Sequence, residues 1–284
     1  MDVQRIAAFS QGSEGGNPAG VVLLETPVSE AEMARVAKEV GYSETVFAVS
    51  QDDTAKQWRV RYFSPESEVP FCGHATIALG AVLGQHAGAG TYDLTLNNAA
   101  ITVDAQPSES GMIATLSSPP TKSQAISDDE LAEVLSLFGL NHGDLDDRLP
   151  PARIHGGADH VVLPLKGRSE LAKMSYDLDQ GREVMQRHGL VTVMLVYIEA
   201  DQTFVARNAF ASGGVLEDPA TGAAAAAFAG YLRDQDWPHG GEFSVRQGED
   251  MGQPSLIKVE LSDTPGAPVR VSGGATIIRY GWSP

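Results

Sequence analysis

One pattern occurs twice in this chain, and it restricts the fold more than any other feature. Glu68–Gln85 reads EVPFCGHATIALGAVLGQ, and Glu217–Leu232 reads EDPATGAAAAAFAGYL. Glu68, Pro70, Gly73, Ala75, Ala78 and Leu83 match Glu217, Pro219, Gly222, Ala224, Ala227 and Leu232 at a single offset, 217 − 68 = 149. Each copy brings a carboxylate and a Pro through a small-residue turn to a Gly, where the pattern predicts a helix that is apolar or small on every face. Such a helix is buried. These runs are too short and too rich in Ala and Gly to span a bilayer, so each half is expected to wrap a sheet around its own central helix. Helix N-termini carry unpaired N–H groups and the positive end of the dipole, which suit an anion. Two related halves that aim these termini at one interdomain cleft would hold a small carboxylate.

Charge narrows the partners. The formal net charge is −17, from 20 Lys and Arg against 37 Asp and Glu, which argues against a nucleic-acid or anionic-membrane surface. The lone cysteine, Cys72, precludes an internal disulfide and fits a reducing compartment. The opening MDVQRIAAF lacks a signal-peptide pattern, and a cytoplasmic location is expected.

Along the chain, strands are predicted at Gln4–Phe9 and Val21–Leu24, separated by the Gly-rich stretch Gln11–Gly20, which has neither P-loop nor dinucleotide spacing. Ser29 and Glu32 form a capping-box pattern for a helix to Val40 that Gly41 ends. Strands follow at Thr45–Val49 and Gln57–Phe63, then, after the first central helix, at Tyr92–Leu96, Ala100–Ala105 and Gly111–Leu116. Ser117-Ser118-Pro119-Pro120 is the best boundary, giving domains of 1–118 plus about 275–284, and 119–274. A helix is expected at Asp128–Phe138, and Ile154–Pro164 echoes Gly15–Leu23. A helix at Gly181–Gly189 and strands at Val191–Ile198 and Thr203–Phe210 lead to the second central helix. Strands at Gly241–Gln247, Ser255–Leu261 and Val269–Tyr280 complete the chain. Helices do not alternate with strands as in a doubly wound sheet, so the fold class is α+β, twice over.

The pieces GGNPAGVVL, GYSETVF, RYFSPESEVPFCGHAT, EDPATG, RQGEDMGQPS and VSGGATI, spread from end to end, resemble the PhzF-like family of phenazine-biosynthesis isomerases, within the diaminopimelate-epimerase-like superfamily. The resemblance implies two similar domains, each a β-barrel-like sheet around a central helix, with the active site between them. It implies cofactor-independent proton transfer and a homodimer. It also places the family's catalytic glutamate at Glu44. Related epimerases use one cysteine per domain as paired acid and base. Cys72 matches the first, but its partner by the repeat is Thr221 (72 + 149 = 221), so a two-thiol mechanism cannot operate. Relatives often carry Arg where this chain has Gln253.

The residues support an independent reading. Glu44 stands at a strand edge among Tyr42, Val46 and Phe47, where desolvation would raise its pKa toward the range of a useful base; alone, the same pattern also fits a solvated strand-end glutamate. His74, in the first turn of a helix, is expected to be neutral and able to donate to substrate, or else to be a buried structural histidine. Asp218 suits both substrate contact and helix capping. Ser43, Cys72, Gly73, Thr221 and Gly222 are the expected substrate-binding positions, and Glu68 and Glu217 are expected to be structural. No HExxH or paired-cysteine spacing marks a metal site, and no flavin, pyridoxal or phosphate motif marks a cofactor. The expected function is isomerisation of a small carboxylate with Glu44, His74 and Asp218 as catalytic groups. Alternatives are an amino-acid racemase or epimerase, with Cys72 or Asp218 opposing Glu44, and a metabolite-binding protein on the same fold.

Overall fold

The computed structural model describes residues 1–109 and 111–278. Its chain divides into two compact units, one of Met1–Ser117 with the segment from Ser272 onward, the other of Ser118–Val271.

In the first unit, β1 (Gln4–Ser10) and β2 (Asn17–Leu24) form an antiparallel hairpin. The second strand begins at Asn17 rather than at the expected Val21, because Pro18 is tolerated near a strand's first residue, where one missing N–H costs little. Helix α1 (Glu30–Val40) crosses to β3 (Thr45–Ser50), parallel to β2. Ser29 caps α1 by accepting from the Glu32 N–H, but the Glu32 carboxylate is engaged by Arg35. Gly41 ends the helix at φ 72°, the left-handed conformation that glycine adopts without penalty. The chain continues through β4 (Gln57–Phe63), β5 (Glu68–Val69), α2 (Gly73–Ala87), β6 (Gly90–Thr95), β7 (Ala100–Ser108) and β8 (Gly111–Ser117).

These strands close a ring. The order is β1, β2, β3, β4, β6, β7, β8, and the C-terminal strand Arg270–Ile277 then joins β8 back to β1. The last positions of the strand expected to reach Tyr280 lie outside the described residues. Helix α2 runs inside this ring, touching β1, β2, β3, β6, β7 and β8. All its residues from Gly73 to Gly84 are buried. Ile77, Leu79 and Leu83 are fully enclosed, each stabilising the unit by about 1.5–3 kcal/mol. Gly80 and Gly84 let the wall approach: a Cβ at Gly80 would lie 2.5 Å from Val103 Cγ2, and one at Gly84 2.7 Å from Ala105 Cβ.

The second unit contains β9 (Lys122–Ala125), α3 (Asp128–Leu137), β10 (Ala152–His155), β11 (Asp159–Leu165), α4 (Arg168–Ala172), α5 (Leu178–His188), β12 (Thr192–Ala200), β13 (Thr203–Ala209), β14 (Glu217–Asp218), α6 (Gly222–Asp234), β15 (Glu242–Gln247) and β16 (Ser255–Glu260). Its strands run β9-β10-β11-β12-β13-β15-β16, and α6 touches β9, β10, β11 and β16. Helices α3 and α5 pack on the sheet's other face through Leu131, Val134, Leu135, Val184 and Met185. Helix α5 starts earlier than Gly181 because the Asp177 carboxylate accepts from the Gln180 N–H and caps it.

The repeat therefore extends to topology. β2–α1–β3 and β11–α4–α5–β12 are both parallel crossovers, as are β4–α2–β6 and β13–α6–β15. Both central helices start at the glycines of the repeat, Gly73 and Gly222.

Candidate active site

In the first unit the site is built from a helix stop, a strand start and a helix start. Gly41 turns the chain out of α1, so Tyr42, Ser43 and Glu44 form a short link into β3. The Glu44 carbonyl accepts from the Gly20 N–H at 3.2 Å. Gly20 is required there: a Cβ would lie 2.7 Å from Thr45 Oγ1. This contact accounts for a glycine at the end of GGNPAG. At the start of α2, Cys72 is the N-cap residue, and its carbonyl accepts from both the N–H (3.0 Å) and the hydroxyl (2.7 Å) of Thr76. The Thr76 hydroxyl in turn accepts from the Tyr62 phenol of β4 at 2.7 Å. Wall and helix start are thus tied together under the site.

These backbone anchors bring the half-buried Ser43 together with the buried Glu44, Cys72 and His74 in one cluster. Glu44 Oε2 lies 3.4 Å from His74 Nε2, Ser43 Oγ lies 3.4 Å from the same nitrogen, and Cys72 Sγ lies 3.3 Å from His74 Nδ1. At 3.4 Å the Glu44–His74 pair is close but longer than an ordinary hydrogen bond. Glu44 is 8% exposed, His74 6% and Cys72 9%. Burial pushes the Glu44 carboxyl up from its ordinary range, while hydrogen bonds from Ser43 and Cys72 pull it partly back. A desolvated carboxyl beside an imidazole can accept a proton and pass one on. Donor atoms of Glu44, Cys72 and His74 all lie within 4.8 Å of one another, but Glu44 meets the imidazole at Nε2 and Cys72 lies nearer Nδ1, so they do not converge on one point.

In the second unit, Thr221 is the N-cap residue of α6, equivalent to Cys72. Asp218 stands three residues before it, and the Thr221 hydroxyl donates to Asp218 Oδ2 at 2.6 Å. Neither Cys72 nor Thr221 makes a side-chain cap bond to its own helix. The glycines that follow, Gly73 and Gly222, are both buried.

Four polar residues that the sequence did not single out stand behind Asp218. The Thr221 N–H donates to Gln247 Oε1 at 3.3 Å. A backbone N–H can only donate, so Gln247 must present its oxygen there and its NH2 elsewhere. That NH2 donates to the Asp218 carbonyl at 2.6 Å and to Thr221 Oγ1 at 3.0 Å. Asn208 then donates to Gln247 Oε1 at 3.0 Å, and Thr192 donates to Asn208 Oδ1 at 3.1 Å. The Thr192 hydroxyl has spent its proton, so it accepts from His160 Nδ1 at 2.8 Å, which fixes the tautomer. His160, Thr192, Asn208 and Gln247 are each at most 1% exposed. The ladder crosses four strands, with His160 beside Thr192 and Asn208 beside Asp218 in register. Of the four, Gln247 alone falls within a family-like motif, RQGEDMGQPS.

Glu68 and Glu217 are structural, as expected, each held by an arginine of a neighbouring strand. Gln253 sits in the turn before β16, with Oε1 buried and unbonded among the described residues.

Comparison with solved structures defines the class. The fold superposes on a hydroxyproline epimerase from Agrobacterium vitis with a TM-score of 0.65 at 12% identity, covering 98% of this chain and 90% of that one. It superposes on a PhzF-family phenazine biosynthesis protein from Bacillus anthracis with a TM-score of 0.85 at 22% identity, covering 98% and 96%. This is the α+β, two-domain epimerase-like fold. The family model PhzC-PhzF, described as phenazine biosynthesis-like protein, matches residues 6–281, and the chain belongs to that family. An uncharacterized isomerase of Deinococcus radiodurans is 33% identical, covering 97% of this chain and 92% of its relative. The trans-2,3-dihydro-3-hydroxyanthranilate isomerase of Pseudomonas chlororaphis is 26% identical, covering 97% and 96%. With named isomerases matched along nearly its whole length, the protein is an isomerase. No helix among the described residues is long and apolar enough to cross a membrane.

Proposed function

We propose that the protein is a cofactor-independent isomerase that moves a proton within a small carboxylate substrate. Glu44 takes the proton from an acidified carbon and returns it elsewhere on the same conjugated system, so atoms and charge balance without an external reagent. His74, 3.4 Å away, orients the substrate and polarises it. Asp218, fixed by Thr221 and Gln247, contributes a second polar contact. Ser43, Gly73 and Gly222 supply donors for the substrate carboxylate, helped by the helix dipoles. The observation that carries this reading is a buried Glu44 carboxyl beside an imidazole. Against the racemase alternative, Cys72 lies with Glu44 around the same imidazole, within 4.8 Å. Groups that attack opposite faces of one carbon need the substrate between them, so Cys72 is poorly placed to oppose Glu44. We also infer a homodimer, from the family resemblance, and a reducing, cytoplasmic setting for the buried thiol of Cys72.

The test uses Glu44→Gln, which keeps the shape and removes the ionisable group. The first probe is trans-2,3-dihydro-3-hydroxyanthranilate, the compound named in the Pseudomonas chlororaphis relative, followed by a panel of cyclic and amino carboxylates scored by thermal shift. On whichever compound the wild type converts, the variant is expected to bind it and to lose about 10²–10⁴-fold in turnover. Exchange of substrate hydrogen with deuterium, followed by NMR, falls with it. Wild-type turnover in the variant would remove Glu44 from the mechanism, and a wild type that binds members of the panel without exchanging hydrogen would favour a binding protein.

A further inference from the structure

We infer, resting on the reading that Asp218 contacts the substrate, that Gln247 is a positioning residue for the isomerisation. Its amide sets the direction of the Thr221 hydroxyl, and through it the Asp218 carboxyl. Both lone-pair sites of Gln247 Oε1 and both of its N–H groups are in use. Oε1 accepts from the Thr221 N–H at 3.3 Å and from Asn208 at 3.0 Å. The NH2 donates to the Asp218 carbonyl at 2.6 Å and to Thr221 Oγ1 at 3.0 Å. Because Thr221 Oγ1 receives an N–H from Gln247, its own single proton must point elsewhere. It points to Asp218 Oδ2 at 2.6 Å, in the length range of a hydroxyl bonded to a carboxylate. Asp218 Oδ2 is thereby committed as an acceptor, so any proton this carboxyl carries sits on Oδ1.

The amide cannot turn over. A backbone N–H only donates, so the opposite orientation would set the Gln247 NH2 against the Thr221 N–H. Thr192 holds Asn208 with its NH2 toward Gln247, which selects the same orientation from the other side. Gln247, the last residue of β15, is 1% exposed, so water does not replace either partner. The fold itself does not call for an amide here. In the first unit Val69 of β5 pairs with Tyr62, as Asp218 of β14 pairs with Asn208. Thr95 pairs with Arg59 and is followed by Leu96, as Arg246 pairs with Val205 and is followed by Gln247. The places of Asp218 and Gln247 are thus held by Val69 and the buried Leu96 in the first unit, which builds the same register with apolar side chains. A buried amide costs free energy unless each of its polar atoms is paired, so packing alone does not account for Gln247.

The test follows turnover of trans-2,3-dihydro-3-hydroxyanthranilate or, where the wild type does not convert it, of the first compound it converts from the carboxylate panel. A wild type that converts none overturns this role together with the reading it rests on. Gln247→Glu keeps an acceptor for Thr221 and Asn208 but replaces the NH2 with an oxygen that draws the Thr221 proton away from Asp218. Thr221→Val keeps the shape and removes that proton outright. In folded protein each is expected to lower kcat about 10–100-fold, the loss of one hydrogen bond to a carboxylate, with KM changing less. Both changes act on the same bond, so the double variant should stay within about twofold of Thr221→Val alone. A merely structural Gln247 would lower the urea midpoint and leave kcat of the folded enzyme unchanged. Wild-type kcat in folded Gln247→Glu, or losses that multiply in the double variant, would overturn the role. If Gln247→Glu does not fold, Thr221→Val decides alone, and wild-type kcat there overturns the role as well. Asp218→Asn separates the two possible failures. Wild-type turnover in that variant removes Asp218 from the mechanism and this role with it, while a slow Asp218→Asn beside an unimpaired Gln247→Glu strikes only the positioning role.

Discussion

Arg207 holds Glu217 side-on, Nε to Oε1 at 2.9 Å and Nη2 to Oε2 at 2.5 Å. Arg61 holds Glu68 with the same pair of atoms, at 2.7 and 2.5 Å. Both glutamates open the two-residue strands that lead into the central helices, so the repeat preserves a bracket as well as a helix start. The brackets differ in burial. The Arg207 and Glu217 side chains are 12% and 6% exposed, against 23% and 20% for Arg61 and Glu68. Removing one partner of a buried pair leaves the other charge unpaired, at a cost of about 3–5 kcal/mol, while exposed pairs are worth about 1 kcal/mol or less. Glu217→Gln is therefore expected to lower stability well beyond Glu68→Gln. Urea unfolding midpoints compare the two, and equal losses would show that burial does not set the difference.

The raised pKa of Glu44 predicts where activity fails in acid. A base must be ionised in the free enzyme, and burial makes this carboxyl hold its proton to higher pH than an ordinary glutamate at 4.5. The acid limb of kcat/KM should then fall at a pH above 4.5. Glu44 has the opposite effect on stability. The native state binds the proton more tightly than the unfolded chain, so the contribution from Glu44 is full below pH 4.5 and is lost as pH rises through the folded pKa. A pH–rate profile with an acid limb at 4.5 or lower would show that Glu44 is solvated in the working enzyme.

Cys72→Ser should keep most of the activity. Its counterpart by the repeat is Thr221, whose hydroxyl is committed to Asp218, so the chain has no second thiol to complete a two-cysteine exchange. The thiol touches His74 Nδ1 at 3.3 Å, and serine can occupy that place with a modest change in orientation. Steady-state kinetics of the variant decide the point. A loss of a hundredfold or more in a folded protein, about 2.7 kcal/mol of transition-state stabilisation, would return the mechanism to thiol chemistry.

The parts of this fold legible in the sequence were those with a local cause. The starts of α2 and α6 followed from the small-residue turn and Gly of the repeat, and the end of α1 followed from Gly41. β9, Lys-Ser-Gln-Ala, was not legible, because its polar residues carry no alternation and its place is set by pairing with β10. The site divides in the same way. Cys72 and His74 share a helix start, so their proximity follows from spacing. The approach of Glu44 to His74 depends on Gly20 admitting Thr45 against β2, a contact between strands that no window of sequence contains. The ladder behind Asp218 was invisible for the same reason, since His160, Thr192, Asn208 and Gln247 are brought together only by strand order and register.

His160 at the far end of that ladder predicts how the second unit responds to acid. Its Nδ1–H is spent on Thr192 and its Nε2 is buried without a partner among the described residues. Burial of a would-be cation pushes its pKa down to about 4 from 6.5. The unfolded chain takes up a proton on this histidine below pH 6.5, while the native protein resists until about pH 4. Between those values the unfolded state binds more protons, so native stability falls as pH is lowered. The contribution is fully present above pH 6.5 and declines toward pH 4, by up to about 3 kcal/mol. His160→Gln keeps an amide donor for Thr192 and cannot titrate. It should flatten the pH dependence of the urea midpoint between pH 6.5 and 4.5 even if it lowers stability at neutral pH. A wild type and a variant that lose stability in parallel across that range would show that His160 carries none of it, and that the carboxylates elsewhere in the chain set the acid limit.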